Sequence, residues 1–272
     1  MLRTWIVIGL SLTTLGGCAG RSSSPHLTTP ERLSRGLVLI LPGIEGESSF
    51  NRDIRDGLAN GGVDCGIEIC HWGTPELPLA GPLINQMNFL GNRNEGKRIA
   101  RRIAEYQDRY PHAPVYLVGH SGGGGIAVFA AESLPPGHKV DGLILLAPSI
   151  SSGYNLDKAL ANTRYGIVNF YSPADVGFLV LGTTLAGNVD GARGPAAGAF
   201  GFDRPLLVAL PESYQRLVQV NATDAGVIAD AHTAATGQKF VSTRVAPYIS
   251  DWPGQSPPPR SKLHATTQLS AK

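Results

Sequence analysis

The sequence has no strong excess of charge of either sign and no regular repeat. Its formal net charge is +2 over 272 residues, which gives no electrostatic basis for nucleic-acid binding. The 34 glycines and 20 prolines follow no fixed period, which indicates many tight turns and excludes a repeat architecture. Histidines, cysteines and carboxylates do not cluster at ligand spacing, so we expect neither a metal nor a cofactor.

Cysteine is scarce, with three in the whole chain. Two of them, Cys65 and Cys70, occur in GVDCGIEICHWG, a pattern typical of a strand. Their odd separation places them on opposite faces and about 16 Å apart, beyond the ~7 Å reach of a disulfide. We therefore expect no bridge between them and two free, largely buried thiols.

The chain has no apolar run long enough to cross a bilayer. Residues 1–20, MLRTWIVIGLSLTTLGGCAG, have a short basic start and a short apolar run, which is typical of a secretory signal peptide. The stretch LGGC, ending at Cys18, resembles a bacterial lipobox. That resemblance implies cleavage before Cys18, lipid attachment to it, and anchoring in the cell envelope, at the outer membrane where a cell has two. An ordinary signal peptide with an incidental cysteine is the alternative.

Composition divides the chain into four segments. The polar, Ser- and Pro-containing stretch after the cysteine predicts a tether, and the Pro-rich polar C-terminus predicts a disordered tail. The predicted segments are a signal peptide over 1–17, a lipid-anchored tether over 18–34, a folded domain over 35–250 and a tail over 251–272.

Within the folded domain, short apolar runs alternate with helical patterns. This alternation predicts the α/β class, with a doubly wound, mostly parallel sheet and ligands at the carboxyl ends of its strands. Residues 73–92 and 176–203 have no periodic pattern, so we expect them to be loops that cover the site. No stretch is long enough for a large cap domain.

The most informative motif is GHSGG at residues 119–123, which fits G-x-S-x-G. The match alone is weak, but it closes an apolar strand and opens a helix, as a nucleophile elbow does. The flanking strand and helix patterns argue against a flexible linker, and the absence of a following Lys-Ser/Thr argues against a phosphate-binding loop. We therefore predict that Ser121 is a nucleophile on a strained turn.

A nucleophilic serine needs a base, and the base needs an orienting carboxylate. In this topology the chain order is Ser, then Asp or Glu, then His. Asp175 follows an apolar strand in YSPAD, and His232 follows the last predicted strand in DAHTAATGQKF. We predict that they are the acid and the base.

Other residues remain alternatives for these roles. Asp190 and Asp203 are reserve candidates for the acid, and a helix cap is the alternative role for Asp175. His120 adjoins the serine, but neighbours on a strand point to opposite faces, so we expect its side chain to point away from Ser121.

An oxyanion hole needs two N–H groups aimed at the tetrahedral intermediate. Gly122, directly after the nucleophile, supplies one of them. The loop after the first strand, LPGIEG, supplies the other, with Ile44 as the candidate.

Taken together, LPGIEG, GHSGG, YSPAD and DAHT give residues 36–248 a resemblance to the α/β-hydrolases of the small carboxylesterase and lipase kind. The resemblance implies the same site residues: nucleophile Ser121, acid Asp175, base His232, and oxyanion amides of Ile44 and Gly122. Pro42 stands where the family commonly has His, which leaves the shape of that loop open.

The sequence thus predicts a membrane-anchored serine hydrolase that cleaves a small-molecule acyl ester or a lipid through an acyl-enzyme. Two alternatives remain. The same residues suit an acyltransferase, which passes the acyl group to an alcohol or amine, and the fold also suits a non-catalytic lipoprotein scaffold.

Overall fold

The sheet of the protein contains six parallel strands. The structure is a computed structural model that describes residues 24–73, 81–175, 187–203, 212–222 and 232–252. Neighbouring strands in the described residues are all paired in parallel, in the order β2-β1-β3-β4-β5-β6. The strands are β1 (Leu37–Leu41), β2 (Gly66–Ile69), β3 (Val115–His120), β4 (Val140–Leu146), β5 (Thr163–Tyr171) and β6 (Leu217–Asn221).

The central strands are apolar because both faces of the sheet are covered. Every residue of β1, β3 and β4 is buried, and runs of Leu, Val and Ile without polar alternation are typical of parallel strands packed on both sides. The predicted mostly parallel, doubly wound α/β sheet is confirmed.

Helices cover the two faces in two groups. One core cluster joins the sheet to three helices, α4 (Phe89–Arg109), α5 (Gly122–Glu132) and α6 (Asp157–Ala161). The short helix α3 (Gly81–Met87) precedes α4. The opposite cluster contains residues of α2 (Ser49–Asn60) and of the C-terminal helical segment. That segment comprises α8 (Gln238–Phe240), a π-turn (Val241–Val245) and α9 (Pro247–Ser250); a short helix α7 (Ala197–Phe200) lies between β5 and β6.

The ordered structure extends past both predicted edges of the domain. Part of the predicted tether forms helix α1 (Pro30–Arg35), and Arg32 in it donates hydrogen bonds to the carbonyls of Val63 (2.7 Å) and Cys65 (3.0 Å). At the other end, the predicted tail begins at residue 251, yet Trp252 is buried and stacks on Tyr116. Composition alone missed these contacts because isolated anchoring side chains lie in otherwise polar stretches.

The expectation of a structureless loop over 73–92 is wrong for its second half. Helix α3 and the start of α4 occupy residues 81–92. Residues 74–80 lie outside the described residues. The helices have no apolar period because their buried side chains on this stretch include amides, Asn85, Gln86 and Asn92.

The two strand-flanking cysteines are not joined to each other. Cys65 is a free, buried thiol, as expected. Cys70 is disulfide-bonded, so the expectation of a second free thiol is wrong for this residue.

The described residues contain neither a membrane-spanning helix nor a metal-binding cluster. None of the helices there is long and apolar enough to span a bilayer. No group of three or more His, Cys, Asp or Glu side chains in the same residues is arranged to hold a metal ion.

Candidate active site

Ser121 lies on the sharp turn between β3 and α5. Its φ of 51° and ψ of −122° are sparsely populated for a non-glycine residue, and such strain persists only where surrounding contacts hold it. The Ser121 N–H donates to the Leu146 carbonyl at 3.0 Å. Its carbonyl accepts from the N–H groups of Gly124 (3.0 Å) and Ser149 (2.9 Å). The end of β4 and the residues after it therefore hold the strained turn on both sides.

The glycines around the serine are required by close backbone contacts. A Cβ at Gly119 would lie 2.5 Å from the carbonyl oxygen of Gly123. A Cβ at Gly123 would overlap the carbonyl oxygens of Leu41 and Pro42. Glycine at 119 therefore lets α5 begin directly against the end of β3, and glycine at 123 lets it pack against the carboxyl end of β1.

The turn brings the Ser121 hydroxyl to His232. Oγ of Ser121 and Nε2 of His232 are 3.2 Å apart, although 111 residues separate them, and both residues are buried. With Nε2 unprotonated, the hydroxyl donates to the imidazole, which is the arrangement that general-base activation of a serine requires.

His120, the residue directly before Ser121, contacts His232. Its Nε2 lies 3.3 Å from the His232 carbonyl oxygen, and since a carbonyl only accepts, Nε2 carries the proton. The two imidazole centroids are 5.2 Å apart. Burial, with a smaller contribution from the charge of His232, lowers the pKa of His120 from 6.5 to about 3. Sequence reasoning expected the His120 side chain to point away from Ser121 and missed its contact with His232.

We call residues 42–46 the oxyanion loop. Three carbonyl groups in this loop each accept a hydrogen bond. Nε1 of Trp72 donates to the Pro42 carbonyl at 2.7 Å, and Nδ2 of Asn85 donates to the Ile44 carbonyl at 3.0 Å. The Gly43 carbonyl accepts from the Gly46 N–H at 3.1 Å.

The predicted oxyanion residues Ile44 and Gly122 lie side by side. A Cβ at Gly122 would be 2.7 Å from Cγ2 of Ile44 and 3.3 Å from the Trp72 ring. The loop after β1 and the N-terminus of α5 therefore meet beside the Ser121 turn, at the carboxyl ends of β1 and β3.

Glu45 adds a carboxyl group to this loop that sequence reasoning did not single out. The carboxyl folds back against Gly43, although the residue as a whole is exposed. Desolvation raises the pKa of Glu45, while its own backbone N–H, the Ser48 hydroxyl at 3.3 Å and the nearby His232 lower it in part.

The predicted acid is described only in its backbone. Asp175 ends a 3₁₀ turn, Pro173–Asp175, that directly follows β5, and its side chain lies outside the described residues. Of the reserve candidates, Asp190 binds Ser151, with 2.6 Å between its Oδ2 and Oγ. Asp203 is exposed. Neither reserve carboxylate is shown in contact with His232.

The segments expected to cover the site are joined to each other where they are described. Nε2 of Gln86 donates to the Gly187 carbonyl (2.7 Å) and to Oγ of Ser149 (2.9 Å). Nδ2 of Asn92 donates to the Val189 carbonyl at 3.2 Å. At the α3–α4 corner, four large apolar side chains are exposed: Ile84, Met87, Phe89 and Leu90.

A family model matches the part of the chain that contains the Ser121 turn. A family model described as serine aminopeptidase, S33, matches residues 99–172, from within α4 through β5. That segment includes Ser121, and the strand order and the serine-bearing turn surround it as described above. The protein has an α/β-hydrolase fold. None of the curated proteins matches the chain.

Several solved structures resemble this chain at low identity. Aspergillus fumigatus lipase B is 13% identical over 82% of this chain and 54% of that one, with a TM-score of 0.48. The NocB thioesterase domain is 15% identical over 82% and 97% of the two chains, with a TM-score of 0.45. MenH from S. aureus is 10% identical over 79% and 94%, with a TM-score of 0.42.

The glycine contact at the elbow gives a stability prediction. Gly123→Ala places a methyl group on the Leu41 carbonyl, so we expect a loss of about 3 kcal/mol in the free energy of unfolding, measured by urea denaturation. Gly153→Ala is the matched control, because a Cβ at Gly153 would lie 3.6 Å from the nearest atom, a carboxylate oxygen of Asp203. This substitution should change the free energy of unfolding by less than about 0.5 kcal/mol. Equal stability of the two variants would contradict the close contact.

The buried imidazole gives a pH prediction. His120 is protonated below pH 6.5 in the unfolded chain but only near pH 3 in the fold, so the unfolded state binds more protons and stability falls as pH falls between these values. From pH 7 to 5 this costs about 2 kcal/mol. Urea denaturation should show that His120→Gln loses about 2 kcal/mol less than wild type over this interval. Parallel pH profiles would show that His120 is not held neutral.

Proposed function

We propose that the protein hydrolyses carboxylic esters through an acyl-enzyme on Ser121. The observation that carries this proposal is the 3.2 Å approach of the Ser121 hydroxyl to Nε2 of His232 on a strained strand-to-helix turn. The oxyanion loop adjoins the same turn, so a nucleophile, a base and backbone donors meet at one place.

In the proposed reaction, His232 accepts the Ser121 proton as Oγ attacks the ester carbonyl carbon. The tetrahedral intermediate collapses by breaking the carbon–oxygen bond of the leaving alcohol, which takes the proton from His232. Water then attacks the acyl-enzyme in the same way, with His232 again as base, and releases the acid and the free serine. No external cofactor is needed.

The negative oxygen of the intermediate is proposed to bind the N–H groups of Ile44 and Gly122. The close approach of these two residues supports this assignment. Gly122 is also the first residue of α5, and the first N–H groups of a helix have no partner within it. Losing one such donor typically lowers kcat by about 10²–10³-fold.

Asp175 is the proposed acid, which orients His232 and stabilises the imidazolium. Its support is positional, since its backbone follows the carboxyl end of β5, at the same edge of the sheet as the Ser121 turn. The engagement of Asp190 with Ser151 leaves Asp175 as the better candidate.

An apolar acyl portion is the proposed substrate feature. The support is the exposed apolar corner of Ile84, Met87, Phe89 and Leu90, which adjoins Asn85 and hence the oxyanion loop. A series of p-nitrophenyl esters tests it: rates should change with acyl length, and indifference to length would remove the acyl-binding feature from the proposal.

The triad is tested by fluorophosphonate labelling together with ester hydrolysis. Ser121→Ala should abolish labelling, and His232→Ala should reduce kcat by about 10⁴-fold or more because the serine loses its base. Asp175→Asn should reduce kcat by about 10⁴-fold with the fold retained, as judged by near-ultraviolet circular dichroism. His138→Ala, remote from Ser121 and bonded to Gln107, is the control and should keep wild-type rates.

Each alternative predicts a different result. Loss of activity in His232→Ala but not in Asp175→Asn would move the acid to another carboxylate. Diversion of the acyl group to added alcohols or amines, at the expense of free acid, would identify an acyltransferase. A folded wild-type protein that fluorophosphonate does not label at Ser121 would favour a scaffold and overturn the proposal.

We also propose that Cys18, which lies outside the described residues, is lipidated and anchors the protein in the cell envelope, at the outer membrane in a cell with two membranes. The lipobox-like LGGC stretch supports this. Cys65 is a free thiol, so a thioether at Cys18 and a disulfide between Cys18 and Cys70 exclude each other. The proposal therefore requires that the disulfide at Cys70 is not made with Cys18 in the mature, lipidated protein.

The lipid anchor is tested with metabolic labelling by an alkyne fatty acid and mass spectrometry of the mature protein. We expect label in wild type, none in Cys18→Ser, and release of the Cys18→Ser variant from the membrane fraction because acyl chains supply the membrane affinity. Cys65→Ser should stay labelled. An unmodified or disulfide-bonded Cys18 in the mature chain would contradict the anchor.

A further inference from the structure

Three successive peptide carbonyls in the oxyanion loop are held by donors from outside their own peptides. Trp72 binds the first, at Pro42, and Asn85 binds the third, at Ile44. The middle carbonyl, of Gly43, closes a turn with Gly46. Two of the three donors are therefore side chains from other parts of the fold.

Fixing a carbonyl also fixes the N–H of the same peptide. In a trans peptide the C=O and N–H point in opposite directions within one plane. The proposed oxyanion donor, the Ile44 N–H, belongs to the peptide whose carbonyl is that of Gly43. The peptides immediately before and after it carry the carbonyls that Trp72 and Asn85 hold. The Ile44 N–H therefore lies between two peptide planes whose orientation depends on these side chains.

Both side chains are themselves fixed. Trp72 follows β2, is buried, and lies against Gly122 at the start of α5. Asn85 is buried on α3, and its own carbonyl accepts from Nδ2 of Asn92 at 2.9 Å. Donors on such supported elements keep a loop in one conformation better than solvent-exposed ones.

We propose that Trp72 and Asn85 are positioning residues that preorganise the oxyanion hole by holding the Pro42 and Ile44 carbonyls. This inference rests on the proposed ester hydrolysis at Ser121. It extends that proposal by assigning a positioning role to Asn85 on α3 and to Trp72, three residues after the end of β2. Preorganised donors stabilise the transition state because they need no reorganisation as negative charge develops.

The test compares an oxygen ester with its thiono counterpart, in which sulfur replaces the carbonyl oxygen. Sulfur is a weaker hydrogen-bond acceptor than oxygen, so an intact oxyanion hole favours the oxygen ester. Asn85→Leu removes the amide donor at similar size, and Trp72→Phe keeps an aromatic ring while removing the indole N–H. Gln86→Leu is the matched control, because it removes a buried amide from the same helix whose bonds go to Ser149 and Gly187.

We expect Asn85→Leu and Trp72→Phe to lower kcat on the oxygen ester by about 10- to 100-fold, less than the loss of a whole donor, with little change in KM. Their kcat on the thiono ester should fall much less, so the oxygen-to-sulfur ratio of kcat should drop by about 10-fold. Gln86→Leu should keep the wild-type ratio even where its stability falls.

The outcomes separate this inference from the proposed function. If wild type hydrolyses the oxygen ester and Ser121 is labelled, but both variants keep the wild-type ratio, the positioning role is overturned and the function stands. A ratio that drops equally in Gln86→Leu would show a general effect of α3 and overturn the assignment to Asn85. If Asn85→Leu fails to fold, the oxygen-to-sulfur ratio of Trp72→Phe alone tests the positioning role. A wild type without esterase activity or labelling overturns both proposals.

Discussion

The left-handed backbone of Ser121 is the constraint on which the rest of the site depends. A φ of 51° is unfavourable for serine, and it is maintained by hydrogen bonds from the end of β4 and the residues that follow. This conformation places Oγ of Ser121 3.2 Å from Nε2 of His232, which lies 111 residues further along the chain. The glycines at 119 and 123 follow from close packing at this turn, because a Cβ at Gly119 would meet the first turn of α5 and a Cβ at Gly123 would meet the carbonyls at the end of β1.

The same crowding connects the elbow to the rest of the site. Because α5 begins against the carbonyls that end β1, its first residue also touches Ile44 and Trp72. The nucleophile turn and the oxyanion loop are thus packed as one unit. The buried side-chain amides of Asn85 on α3 and Asn92 on α4 each donate to a backbone carbonyl beside this unit, because buried polar groups require hydrogen-bond partners. His120 contributes in the same way by staying neutral beside His232.

The sequence allowed prediction of those features that are encoded in a local pattern of residues. Continuous apolar runs predicted the parallel sheet, and the G-x-S-x-G motif between a strand and a helix located Ser121; the order of residues along the chain pointed to His232. Sequence reasoning missed Trp72, Asn85 and Trp252, because each acts through one long-range contact and no periodic pattern surrounds it. Helix α3 was missed for a related reason: its buried face carries amides, so hydrophobic periodicity, the main predictor of a helix, is absent.

A crystal structure of the protein after reaction with a fluorophosphonate ester would show whether Ser121 is a nucleophile beside a preformed oxyanion hole. We expect phosphorus bonded to Oγ of Ser121, with the phosphoryl oxygen about 2.7–3.1 Å from the amide nitrogens of Ile44 and Gly122 and His232 still in contact with Oγ. An adduct on another side chain, or a phosphoryl oxygen turned away from both amides, would contradict this expectation.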